Sequence, residues 1–98
     1  MAIKLVWTKR AIRGYDRIIK YLKEEWSEKE VRTFVRETAQ FFDLLKENPK
    51  MLEPTGKHKN LYRGPINRLT IVTYLYKPRK KEIVFVNIRG TKQKPLKE

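Results

Sequence analysis

Cysteine is missing from all 98 residues. Its absence excludes disulfides and thiolate metal sites, and it fits a reducing compartment. Glycine and proline, four and five residues, are too few for a linker-rich or low-complexity chain. No apolar run is long enough to span a bilayer, and the amino-terminal MAIKLVWTKR has too short an apolar core for a signal peptide. A cytoplasmic protein without a membrane partner is therefore expected. Acidic residues are the other deficit: 11 stand against 24 lysines and arginines, a formal net charge of +13. Such an excess predicts a polyanionic partner, whether nucleic acid, ribosome or acidic protein. The excess is uneven. Residues 1–48 carry 11 basic against 8 acidic groups, a balance of +3, whereas residues 49–98 carry 13 against 3, a balance of +10. The carboxy-terminal half is expected to face the anion.

A chain of 98 residues supports one core. A single domain over 1–98 is expected, with a polar basic tail from about residue 91. The organising stretch is NRLTIVTYLYKPRKKEIVFVNIRG, residues 67–90. Two runs, Leu69 to Tyr76 and Ile83 to Ile88, are rich in Val, Ile, Thr, Phe and Tyr, which suit a pleated and half-buried surface. The link Lys77 to Glu82 is almost all charge and predicts a solvated hairpin turn. Strict alternation along the second strand places Val84, Val86 and Ile88 on one side and Ile83, Phe85, Asn87 and Arg89 on the other. If the aliphatic side packs inward, Arg89 is mounted rigidly on the opposite face.

Ile3 to Trp7 reads as a first strand and Thr8 as a helix N-cap. Ala11, Ile12, Tyr15, Ile18, Ile19, Leu22 and Trp26 then recur at helical spacing, opposite a face with Arg10, Arg13, Arg17, Lys20 and Glu24. Gly14 costs a helix about 1 kcal/mol against alanine, and close backbone packing would account for it. Ser27 with Glu30 forms a capping box that starts a second helix. Val31, Phe34, Val35, Phe41, Phe42 and Leu45 give that helix its stripe, and Asn48-Pro49 ends it. Pro49 to Gly56 reads as a loop anchored by Met51 and Leu52. Leu61-Tyr62 predicts a short strand, and Gly64-Pro65 a turn or bulge. The order strand, helix, helix, strand, strand, strand defines an α+β fold: a helical hairpin packed on one face of a small, mostly antiparallel β-sheet. Function is expected on the open face.

The ordered set of segments resembles the RelE/ParE superfamily, toxins of bacterial type II toxin–antitoxin pairs. The segments are Trp7-Thr8 followed by Ala11, YLKEEWSEKEV, a second helix ending ENP, an arginine entering the sheet at Arg63 or Arg68, TIVTYLY, IVFVNIR and GTKQKP. The last is similar to a DTRQNP-type ending, with Gly90 and Lys92 departing from it. The resemblance implies a growth-inhibiting toxin held by an acidic cognate antitoxin, with either ribosome-bound mRNA or DNA gyrase as target. It needs no metal and no small-molecule cofactor. If the protein cuts RNA, Arg89 and Arg68 would clamp the phosphate and Lys57 or Lys59 would act as base, provided that a pKa starting near about 10.4 is lowered. Arg63, His58, Lys92 and Lys94 would contact the nucleic acid or target. His58 would carry protons well, yet on a strand it would point away from Lys57 and Lys59. Many cutting members place a tyrosine or histidine shortly after the arginine. Here Gly90, Thr91 and Lys92 follow, which weighs against cleavage.

Three classes of function remain distinct: a metal-independent, ribosome-dependent mRNA endoribonuclease, a non-enzymatic gyrase inhibitor, and a basic RNA- or DNA-binding domain without an antitoxin. Plainer roles compete residue by residue. Lys57, Lys59 and Lys77 to Lys81 also suit solvated loops, and Tyr74 with Tyr76 could stack a base but fits packing better.

Overall fold

Residues 3–91 are described by the computed structural model; Lys92 and Lys94 lie outside the described residues. The first strand, β1, is Lys4–Trp7. Thr8 ends it and caps α1, Lys9–Glu25, by accepting the Ala11 N–H on its hydroxyl at 3.1 Å. Ser27 in turn accepts the Glu30 N–H at 3.3 Å and opens α2, Glu28–Glu47. Glu28 and Glu30 in that first turn also complement the helix dipole. Asn48 closes α2 just before Pro49. Four strands follow: β2 (Glu53–Pro54), β3 (Leu61–Asn67), β4 (Thr70–Lys77) and β5 (Glu82–Gly90).

The sheet runs β1-β5-β4-β3-β2, with β1 parallel to β5 and every other pairing antiparallel. Both helices lie on one face. Between them and the sheet, Trp7 meets Tyr15, Phe42 and Phe85 edge-on at centroid distances of 5.6, 5.5 and 4.9 Å. Ile18, Leu22, Phe34, Leu45, Val72 and Ile83 complete a core whose removal from water drives folding. Gly14 is where α1 meets the β5 backbone. An ideal Cβ there would stand 1.8 Å from the Ile88 carbonyl oxygen, so only glycine permits this approach, and that outweighs its cost to helix propensity.

Several sequence expectations shift. Ile12, Trp26 and Val35 were expected in the apolar stripes but are 45%, 49% and 43% exposed. Close approach to the sheet selects the small Ala11 and Gly14 on α1, and it turns Thr38 rather than Val35 inward on α2. The Thr38 hydroxyl is satisfied there by donating to the Val35 carbonyl at 3.0 Å, and Tyr15 Oη lies 3.2 Å from it. Leu52 packs against the core, whereas Met51 is exposed. The short strand expected at Leu61-Tyr62 extends to Asn67 through Pro65, which lies beyond the two residues where β2 pairs with β3. An unpaired edge is where a strand tolerates proline. The register shifts at Ile66, a bulge just after the expected Gly64-Pro65 position. Tyr74 is buried and Tyr76 packs against the core, so neither offers a free stacking face.

The larger correction lies in β5. Ile83 and Phe85 are buried in the core, not on the face opposite the aliphatic residues, and Ile88 is buried with them. Strict alternation cannot put residues 83, 85 and 88 on one side. A register shift resolves this: Tyr74 pairs with Phe85 and Thr73 with Asn87, leaving Val86 as an extra residue. A bulge inserts one residue and exchanges the faces beyond it. Before Val86 the odd-numbered side chains point inward; after it Ile88 does, and Asn87 and Arg89 turn to the open face.

Candidate functional site

Beyond this bulge the open face becomes cationic. Its central rows are set by pairing: Glu53 opposite Arg63, Arg63 opposite Thr73, Thr73 opposite Asn87, and one step along, Pro65 opposite Ile71 and Ile71 opposite Arg89. Arg68 sits at the tip of the β3–β4 turn. That tip is braced three ways: Asn67 Oδ1 accepts the Leu69 N–H at 2.9 Å, Thr91 Oγ1 donates to the Arg68 carbonyl at 2.7 Å, and the Thr91 N–H donates to the Leu69 carbonyl at 2.8 Å. Lys57 reaches in from the bend between β2 and β3, where its N–H donates to Thr55 Oγ1 at 3.2 Å.

Together these residues line a groove of about 1020 Å³. Arg63, Arg68, Arg89 and Lys57, all singled out from sequence, are brought together in it. His58 and Lys59 do not line it. The alternation expected for Lys57, His58 and Lys59 does not apply, because the segment is a bend and turn rather than a strand. Asn60 there adopts φ 71°, and the Leu61 N–H donates to the His58 carbonyl at 3.2 Å. His58 Nδ1 lies against the Lys59 carbonyl.

Two lining residues escape the sequence reading. Arg10 was assigned to the solvent face of α1; it enters the groove because β1 pairs with β5 only as far as Phe85 and α1 starts beside the uncovered edge beyond. No pattern in the chain encodes that. Glu53 did leave a signal, as one of three acids in the basic half. The groove therefore holds five cations, Arg10, Lys57, Arg63, Arg68 and Arg89, against one carboxylate. Among the described residues, no ion pair or side-chain hydrogen bond engages the guanidinium groups of Arg10, Arg63, Arg68 or Arg89. Their donors are available to an incoming anion, and guanidinium forks suit carboxylate or phosphate equally.

A sheet covered on one side by a helical hairpin and cationic on the other is the architecture of the RelE/ParE superfamily. A chain of the chromosomal ParDE toxin–antitoxin system of P. aeruginosa shares the fold, with TM-score 0.71 and 16% identity over 90% of this chain and 95% of that one. The conserved hypothetical protein HP0894 of Helicobacter pylori is similar over 93% and 97% of the two chains, with TM-score 0.50 and 16% identity. No curated protein matches. The family model for the ParE toxin of the type II toxin–antitoxin system parDE matches residues 5–95, and the chain belongs to that family. It is thus a toxin whose partner is an antitoxin. Among the described residues no helix is long and apolar enough to cross a membrane.

Proposed function

We propose that this toxin inhibits DNA gyrase by binding it through the cationic groove, without cutting nucleic acid. The observation that carries the reading is the make-up of the groove. Its described lining contains five cations and one carboxylate but no histidine, tyrosine or aspartate. RNA cleavage by attack of the 2′-hydroxyl needs a base and an acid at the reacting oxygens in addition to cations on the phosphate. A binding inhibitor needs the cations and a shaped surface alone. Membership of the ParE family supports the gyrase target, since the superfamily resemblance divides between RNA cutters and gyrase inhibitors. In this reading Arg89, Arg68, Arg63 and Lys57 grip acidic groups of the target, with Arg10 added to the set. The antitoxin is proposed to be acidic for the same reason.

Glu53 favours a second reading. It stands directly opposite Arg63 and could take the hydroxyl proton of an RNA held by the arginines. Glu53→Gln separates the two. Under the binding reading the variant inhibits supercoiling by purified gyrase as well as wild type does, and Arg89→Ala requires about tenfold or more toxin, as expected for losing charge-assisted hydrogen bonds. Messages mapped after induction remain intact. Codon-phased 5′ ends that disappear with Glu53→Gln would establish cleavage instead.

A further inference from the structure

The open face has a second half that the cationic groove does not use. Val6, Val84, Leu75 and Leu61 stand side by side on four adjacent strands: Val6 pairs with Val84, Val84 with Leu75, and Leu75 with Leu61. Their strand neighbours Leu5, Ile83, Tyr74 and Tyr62 belong to the core, so these four face the other way. Each is only partly buried. At about 4.8 Å per strand the row runs roughly 14 Å across the sheet. The solvated face of an antiparallel sheet is ordinarily polar, and four aliphatic side chains in register there mark a docking surface. Leu61 also lines the cationic groove, which makes the row and the cations one continuous surface.

We propose that this row is the antitoxin's half of the face. The occupant is an amphipathic helix of the antitoxin, with an aliphatic stripe along Val6, Val84, Leu75 and Leu61 and carboxylates on one flank reaching Arg63 and Arg89. Three physical arguments select it. The row crosses the strands, and helix residues three or four apart repeat every 5–6 Å, about the strand spacing. The adjoining groove carries five cations and one carboxylate, so the flanking groups must be acidic. A second copy of this chain would set the same cations against one another. The assignment rests on the proposed reading only in giving the target the cationic half alone. An antitoxin seated on both halves then blocks the target by overlap at the arginines, while the row adds affinity that the target does not share.

The test uses the toxin and the antitoxin encoded beside it. In methyl NMR of the wild-type toxin, adding the antitoxin is expected to shift the Val6, Leu61, Leu75 and Val84 signals and to leave those of Ile12 and Val35 on the helices in place. The double variant Leu75→Thr/Val84→Thr keeps strand-compatible side chains. It is expected to bind the antitoxin about tenfold or more weakly at both low and high salt, and to inhibit growth in cells that carry the antitoxin. Wild-type affinity in a folded double variant overturns the proposal, as do methyl shifts confined to the helices. If the variant fails to fold, the wild-type spectrum decides. Should its toxicity prove to come from cut messages, the gyrase reading falls, while weakened antitoxin binding still supports the row.

Discussion

Tyr74 shows what one residue contributes at the centre of the inner sheet face. It is fully buried, stacks on Tyr62 with ring centroids 5.3 Å apart, and donates its hydroxyl to the Pro49 carbonyl, tying the segment after α2 to the sheet. Burial pushes its phenol pKa up to about 12. A group whose pKa is higher in the folded state stabilises the fold fully below its unfolded pKa, near about 10, and loses that contribution as pH climbs through the folded value. Urea unfolding of the wild type is therefore expected to lose on the order of 2 kcal/mol more than Tyr74→Phe between pH 10 and pH 12. Equal losses in both proteins would show that other groups control the alkaline transition. The tyrosine was legible as a packing residue from its strand setting. Its link to Pro49 was not, because it spans the loop between two separately read elements.

At the scale of elements, the Val86 bulge and the start of α1 form one device. The Thr8 hydroxyl accepts from Ala11 and also donates to the Phe85 carbonyl at 2.7 Å, with the Val86 carbonyl at 3.3 Å. One side chain thus caps a helix and fixes the place where β5 exchanges faces. Thr8→Val is expected to cost about 1–2 kcal/mol in chemical unfolding, from a lost cap and an unpaired carbonyl. Thr8→Ser should recover most of it. A Thr8→Val protein as stable as wild type would separate the bulge from the cap. The sequence held a clue to the bulge. Phe85 and Arg89 are four apart and would share a face in a regular strand, yet a large aromatic belongs inside and an arginine outside. Periodicity alone cannot locate the extra residue, because Val84, Phe85 and Val86 are all apolar.

For the whole molecule, charge and shape divide the work. A net charge of +13 concentrated beside an aliphatic row predicts an antitoxin complex with two components of affinity. Raising salt from about 0.1 to 0.5 M is expected to weaken the complex by roughly tenfold or more, because exposed charges are screened within a shorter Debye length. The apolar row should leave measurable affinity at the higher salt. Binding indifferent to salt would remove the arginines from the interface, and binding abolished by salt would remove the row.

By itself the sequence determined the element order, the caps at Thr8 and Ser27, the α+β class and the basic character of the sheet half. These depend on neighbours a few residues apart, where spacing and local hydrogen bonds decide. Only the tertiary structure decided which side of each element is inside. It turned Ile12, Trp26 and Val35 to solvent because close packing on β5 prefers Ala11 and Gly14, and it reversed β5 at Val86. It also gathered Arg10 and Glu53 with Arg63, Arg68 and Arg89, residues up to 79 positions apart in the chain, since a sheet neighbour is set by pairing across strands and not by distance along the sequence.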